Sequence, residues 1–223
     1  LALGCLSQLT IVLTAQNRPR EATRVASQAI YLAEQRGWSE TRQMAVGTWH
    51  AMGWIHYVWA EPEAAELYLD RAEEAARTGD GASYGSIHMV QALAANLRKD
   101  RVRALAMLDA ASAALEPVLD GFIFLPYIIG ERIRILLSLG QTERARKEMS
   151  RTGPPEQAPT HIRLARAELQ IADRDLVGAL ATLEPATAGE SSGFLDQTLQ
   201  AYVLTAIVLE KLGRLPEASD WLT

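Results

Sequence analysis

The stretch WHAMGWIHYVWAEPEAAELYLDRAEEAARTGD, residues 49–80, decides how the chain is read. On either side of AEP (60–62) its apolar residues recur at three and four, the period of a helix. After that turn comes a small-residue pattern, Ala65–Leu69–Ala72: alanine, three residues, a small or aliphatic residue, two residues, alanine. The pattern returns as Ala22–Ala26–Ala29, Ala104–Leu108–Ala111 and Ala179–Leu183–Ala186. Ala145–Met149 is a degraded copy, and the pattern begins again at Ala218–Leu222. The lead alanines are 43, 39, 41, 34 and 39 residues apart, and each follows a turn: QNRP, AEP, RKD, LGQ, DRD and LGRLP. A second helical stretch precedes every turn. The unit is therefore helix A, tight turn, helix B, repeated about six times.

Small residues are needed where the two helices cross, because the interaxial distance follows side-chain size at the contact. A large residue there would cost roughly 1–3 kcal/mol in overpacking. Strand signals are almost absent: no Val/Ile/Thr-rich alternation is bracketed by Asn-Gly or Asp-Gly turns. The expected fold is thus all-α, a right-handed α-solenoid of about six antiparallel helix pairs with a concave and a convex face, forming one domain over residues 1–223. Trp49-x2-Met52-Gly53 falls where tetratricopeptide (TPR) repeats carry W-x2-L-G. Trp49 then fills the gap between helices and Gly53 lets helix B approach. The fourth unit, around PYIIGERIRILLSLG, matches worst. The loops at 77–85, 150–160 and 186–194 are rich in Gly, Pro and Ser and read as spacers between stacked pairs.

Composition narrows the function classes. At 48% hydrophobic and 22% charged residues the chain is globular in character. A net charge of −5 gives no basic footprint for nucleic acid. Cys5 is the only cysteine, which rules out an internal disulfide or a cysteine zinc site and fits a reducing, cytoplasmic setting. The opening LALGCLSQLTIVL is too short to span a bilayer and lacks a charged leader; no membrane association is expected. The chain begins at Leu1 rather than Met, and a fragment of a longer, multidomain protein is expected.

Residues 49–59 hold three of the five tryptophans and two of the four histidines. His50, Trp54 and Tyr57 lie at spacings of four and three, on one stripe of helix A away from the Trp49–Gly53 face. Two environments fit that stripe. One is the concave groove, where an aromatic platform beside an imidazole suits a sugar ring or an apolar peptide side chain. The other is packing against the next helix A. The same register extends the groove candidates to Met89, Leu93 and Asn96, then Arg134, then His161 and Glu168. Trp38, His56 and Trp59 read as packing between repeats, and Glu73–Glu74 as a solvated outer face of helix B.

Catalytic and metal motifs fail on context. Gly189–Glu190–Ser191–Ser192–Gly193 matches G-x-S-x-G, but no strand precedes it and no histidine follows His161. There is no G-x-x-x-x-G-K-[ST], G-x-G-x-x-G or H-E-x-x-H. His50 and His56, six apart, cannot face one metal from a regular helix. No enzyme activity, metal or cofactor is expected in this segment.

WHAMGWIHYVWAEPEAAELYLDRAEEAARTGD also resembles the helix-pair repeats of the MalT-type regulators, the large ATP-dependent LuxR-family bacterial transcription activators. The match lies in Gly53, Ile55, Ala65, Leu69, Arg71, Ala72, Glu74 and Gly79–Asp80, and QAIYLAEQRGW (28–38) is similar to the end of a preceding unit. The resemblance implies a repeat arm that senses a small inducer or a partner protein and controls self-association. It implies an NTPase before the arm and a helix-turn-helix after it, neither carried by this segment. The competing expectation is a TPR-like scaffold binding a peptide or another domain of a signalling protein, for which Arg134 is the basic candidate to clamp a carboxylate.

Overall fold

A computed structural model describes residues 2–36, 38–77, 81–118, 124–154, 158–187 and 195–221. Among these residues there are twelve helices and no strand. They are α1 (Ala2–Ala15), α2 (Pro19–Arg36), α3 (Trp38–Val58), α4 (Pro62–Ala76), α5 (Gly81–Leu97) and α6 (Arg101–Leu115), then α7 (Leu125–Ser138), α8 (Thr142–Met149), α9 (Thr160–Ala172), α10 (Leu176–Thr187), α11 (Leu195–Lys211) and α12 (Leu215–Asp220). Odd numbers are A helices and even numbers B helices, so the six pairs fall where the lead alanines placed them. The fold class is an all-α helical-repeat solenoid.

The packing divides into two compact units, Leu1–Phe124 and Leu125–Thr223, each with three pairs. Within each unit an A helix packs on its own B helix and on the next A helix, and a B helix also touches the A helix that follows it. The crossings are made by the small-residue pattern. Ala22, Ala26, Ala29, Ala65, Leu69, Ala72, Ala104, Leu108, Ala111, Ala145, Ala179 and Leu183 are all 0% exposed. Twelve residues before each lead alanine the A helix carries Thr10, Gly53, Ala92, Ile133, Ala167 and Ala206, every one buried. A Cβ on Gly53 would lie 2.5 Å from Leu69 Cγ, so glycine here permits the close approach of α4. Trp49 is 4% exposed and fills the space beside that crossing. The fourth pair departs from the others for a visible reason: it has the bulky Ile133 at the small position.

Each pair reverses direction through the same turn. Asn17, Ala60, Lys99, Gly140, Arg174 and Gly213 all have φ between +55° and +78°, the left-handed region. In every case that residue's N–H bonds the carbonyl three residues back, and the next N–H bonds the carbonyl five back, as Lys99 N to Asn96 O (2.9 Å) and Asp100 N to Ala95 O (3.0 Å) do. This is the Schellman closure, which satisfies carbonyls that a helix end leaves orphaned. Asp100 and Asp175 then cap the following helices, accepting from Arg103 N–H at 3.1 Å and Gly178 N–H at 2.9 Å.

Two substitutions test this account in opposite directions. Gly53→Ala should lower stability by roughly 1–3 kcal/mol through overpacking against Leu69, despite alanine's better helix propensity. Lys99→Gly should raise it by up to about 1 kcal/mol, because a non-glycine residue at positive φ is strained. Chemical denaturation of both variants measures the two signs.

Candidate functional site

The A helices carry the chemistry, and the register of the lead alanine locates it. Eleven residues before that alanine stand Ile11, Trp54, Leu93, Arg134, Glu168 and Ile207. The nine candidate residues occupy this row or lie a few residues from it on the same helices, but their environments differ sharply.

In the first unit Trp54 and Tyr57 are half-buried, their rings 5.6 Å apart and tilted by 59°. His50, one turn earlier, is partly exposed as a residue, yet its Nε2 is shut off from solvent without a hydrogen-bond partner. Burial pushes its pKa from 6.5 down to about 4, against a smaller opposing effect of a backbone hydrogen bond at Ser86. Met89 and Leu93, expected on the groove, are instead core residues at 3% and 2% exposure. The reason is α5 itself: every residue from Gly85 to Ala95 is buried, and the helix carries no charged side chain, so it has no solvent face to offer. Asn96 is half-buried where α5 ends, its carbonyl closing the turn onto Lys99.

Two neighbouring readings change as well. Trp59 is exposed and meets His56 edge-on at 5.6 Å, while His56 stacks on Tyr68 of its own B helix at 5.2 Å and holds Glu61 at 2.7 Å. The Trp38 side chain and residues 189–193 lie outside what the structure describes. Glu73 is not a solvated bystander: it accepts from Gln91 Nε2 at 2.9 Å and from the Tyr84 hydroxyl at 3.3 Å. Gln91 also reaches Asp70 at 3.3 Å and pairs through Oε1 with His88 Nδ1 at 2.8 Å. Because the Gln91 amide donates to two carboxylates, its oxygen accepts, and His88 carries its proton on Nδ1. This α4–α5 network, buried at His88 and Gln91 and open at Asp70, had one sequence signal: His88 and Gln91 on a helix otherwise short of polar groups.

In the second unit the candidates come together. Arg134 on α7 donates through Nε to Glu168 on α9 at 2.8 Å, and through Nη1 to Glu131 at 2.9 Å and to Gln200 on α11 at 2.8 Å. One guanidinium thus ties three successive A helices. Its side chain is 24% exposed, Glu168 23% and Glu131 10%. Burial alone would lower the Arg134 pKa, but Glu131 and Glu168 outweigh it and raise it; Glu168 is raised by burial despite Arg134. With two carboxylates against one cation, the cluster is net negative. Arg134 is therefore not the open carboxylate clamp expected of it, since its own chain supplies the carboxylates. Gln200 was missed because nothing in the sequence links positions 66 residues apart, whereas Glu131, three residues before Arg134 on the same helix, was within reach of the i, i+3 pairing rule. His161 lies 5.4 Å from Tyr127, its Nε2 buried without a partner and its pKa pushed by burial to about 4.

Two open hollows, of about 580 Å³ beside Tyr31 and about 450 Å³ beside Trp221, contain none of the nine candidates. Among the described residues no three His, Cys, Asp or Glu are grouped to hold a metal ion, and no helix is long and apolar enough to cross a membrane.

No protein-family model matches the chain, and no curated protein matches it. Among solved structures the chain is similar to the crystal structure of nearly identical TPR-like repeats assigned to a Podosopora anserina kinesin light chain. Identity is 14% with a TM-score of 0.52, covering 98% of this chain and 90% of that one. At that identity the likeness is one of fold: a TPR-like helical repeat. It gives no support for membership of the MalT-type or LuxR family.

The two buried imidazoles make stability depend on pH. Their folded pKa lies below the unfolded value, so the unfolded chain binds more protons between about pH 4 and 6.5. Their neutral-state contribution is complete above pH 6.5 and is lost as pH falls, on the order of 2 kcal/mol per ring by pH 4. Urea midpoints measured from pH 7 to pH 4 should fall less steeply for His161→Asn than for the parent.

Proposed function

We propose that the chain is a protein-interaction scaffold whose A-helix face takes a segment of a partner protein. The observation that carries this reading is the Glu131–Arg134–Glu168–Gln200 cluster, which spans three consecutive A helices while remaining partly open to solvent. A surface with one excess carboxylate among half-desolvated groups favours a cationic side chain, so the partner segment is one bearing Lys or Arg. Stacked helix pairs present extended surfaces suited to binding a segment of this kind.

A finer reading is favoured by the tilted Trp54–Tyr57 ring pair. There the segment is the sensing arm of a MalT-type transcription regulator, taking a small inducer at those rings, working in the cytoplasm and controlling self-association. The residues that carry the resemblance weigh little in its favour, since Gly53, Ile55, Ala65, Leu69 and Ala72 are all buried packing residues that the repeat fold demands by itself.

Fluorescence anisotropy with two labelled peptides of equal length, one Lys/Leu-rich and one Glu/Leu-rich, separates the readings. The scaffold proposal expects the basic peptide to bind, with Glu168→Gln weakening it several-fold and salt weakening it further. Equal binding of both peptides, or indifference to Glu168→Gln, would remove it. For the inducer reading, a thermal-shift panel of neutral sugars should stabilise the parent and not Trp54→Ala.

A further inference from the structure

Several exposed ion pairs of the chain are made edge to edge. Arg18 and Arg214 each present Nε and Nη2 to both oxygens of a glutamate three residues on, Glu21 and Glu217. The same edge of Arg146 meets Asp173. Arg98 and Arg103 are arranged differently. Glu66 on α4 gives one oxygen to each: Oε2 accepts from Arg98 Nη1 at 2.7 Å, and Oε1 from Arg103 Nη1 at 3.1 Å. Among the described residues no acceptor meets Nε or Nη2 of either arginine, so two guanidinium edges, each with parallel N–H donors, are left open. Both arginine side chains are 43% exposed, while Glu66, at 15%, is the sheltered point that holds them together.

The α5–α6 turn adds charge to these edges. Lys99 is exposed, and among the described residues neither it nor Arg101 meets a carboxylate. Asp100 is engaged as the cap of α6. Four cations, Arg98, Lys99, Arg101 and Arg103, thus stand against two carboxylates, Glu66 and Asp100, an excess of two positive charges in a chain of net charge −5. Stability does not account for the arrangement, since exposed ion pairs contribute little and an edge-to-edge pair would satisfy either arginine more fully.

We propose that the open edges of Arg98 and Arg103 take the phosphoryl group of a phosphorylated serine or threonine on a partner protein. Such a group carries close to two negative charges and three acceptor oxygens, enough to meet both edges and balance the excess charge. A carboxylate, with one charge and two oxygens, fills only one edge. An extended polyanion fits less well, because α4 also carries the exposed Glu63 and Asp70 and the chain as a whole is acidic. Leu97 and Val102, 43% and 77% exposed, adjoin the two arginines in the chain and offer apolar contact to the residues flanking the phosphorylated one. The site goes beyond the basic segment argued above: it lies in the other unit and takes the opposite charge.

The test is fluorescence anisotropy at neutral pH with three labelled Ala/Leu-rich peptides of one length, whose central residue is phosphoserine, glutamate or serine. The phosphoserine peptide should bind roughly tenfold more tightly than the other two. Arg98→Lys and Arg103→Lys keep the charge and lose the planar edge, so each should weaken that peptide several-fold with an unchanged circular dichroism spectrum. Arg24→Gln, which removes an exposed cation from α2, should leave the affinity as it was. Equal affinity for the phosphoserine and glutamate peptides, indifference to both lysine variants, or an equal loss with Arg24→Gln would overturn the proposal. So would inorganic phosphate that binds as tightly as the peptide, which would make free phosphate the ligand. Co-sedimentation with vesicles of equal parts phosphatidylcholine and phosphatidylserine, undiminished by the phosphoserine peptide, would overturn it in favour of a membrane.

Discussion

The distance at which two helices can cross is the constraint on which the rest of this structure depends. Alanine has no side-chain torsion to adjust, so a lead alanine at zero exposure fixes that distance more tightly than any larger residue could. The left-handed turn residue then fixes where the chain enters the B helix. Together they hold each pair in nearly the same geometry, and within each unit repetition of the pair brings equivalent positions of successive A helices into one row. The Arg134–Glu168 pairing is read off that row.

What the sequence made legible follows from the same cause. Ala65, Ala104 and Ala179 stand out because nothing larger fits, so the constraint is written directly in residue type. The turn is less legible, since only Gly140 and Gly213 announce a positive φ while Ala60, Lys99 and Arg174 accept it under pressure from the helices they join. The groove was legible least. Its register picked out Trp54, Arg134 and Glu168, which are half-buried, but also Leu93, which lies in the core because burial depends on what surrounds a helix as well as on its own period. The lack of any charge on α5 was the available warning. Gln200 had no warning at all, as a guanidinium spanning three helices leaves no trace in local spacing.

The contrast along that row bears on function more than any single residue does. Leu93 shows that an apolar side chain is accommodated at the position where the second unit has Arg134 and Glu168. The fold therefore does not require charge there. Ion pairs drawn partly out of water contribute little net stability, because desolvation offsets most of their mutual attraction, and well-packed apolar replacements are often as stable. Glu168, held above its ordinary pKa by burial, is the member that bears this cost most plainly. Departures from the economical packing choice gather where a surface has a use beyond holding itself together. A carboxylate kept half-desolvated beside a single shared cation is strained in the direction that a second, incoming cation would relieve. That is the physical ground for assigning the partner's chemistry to the Arg134 cluster, ahead of the aromatic pair at Trp54 and Tyr57, whose rings already meet each other.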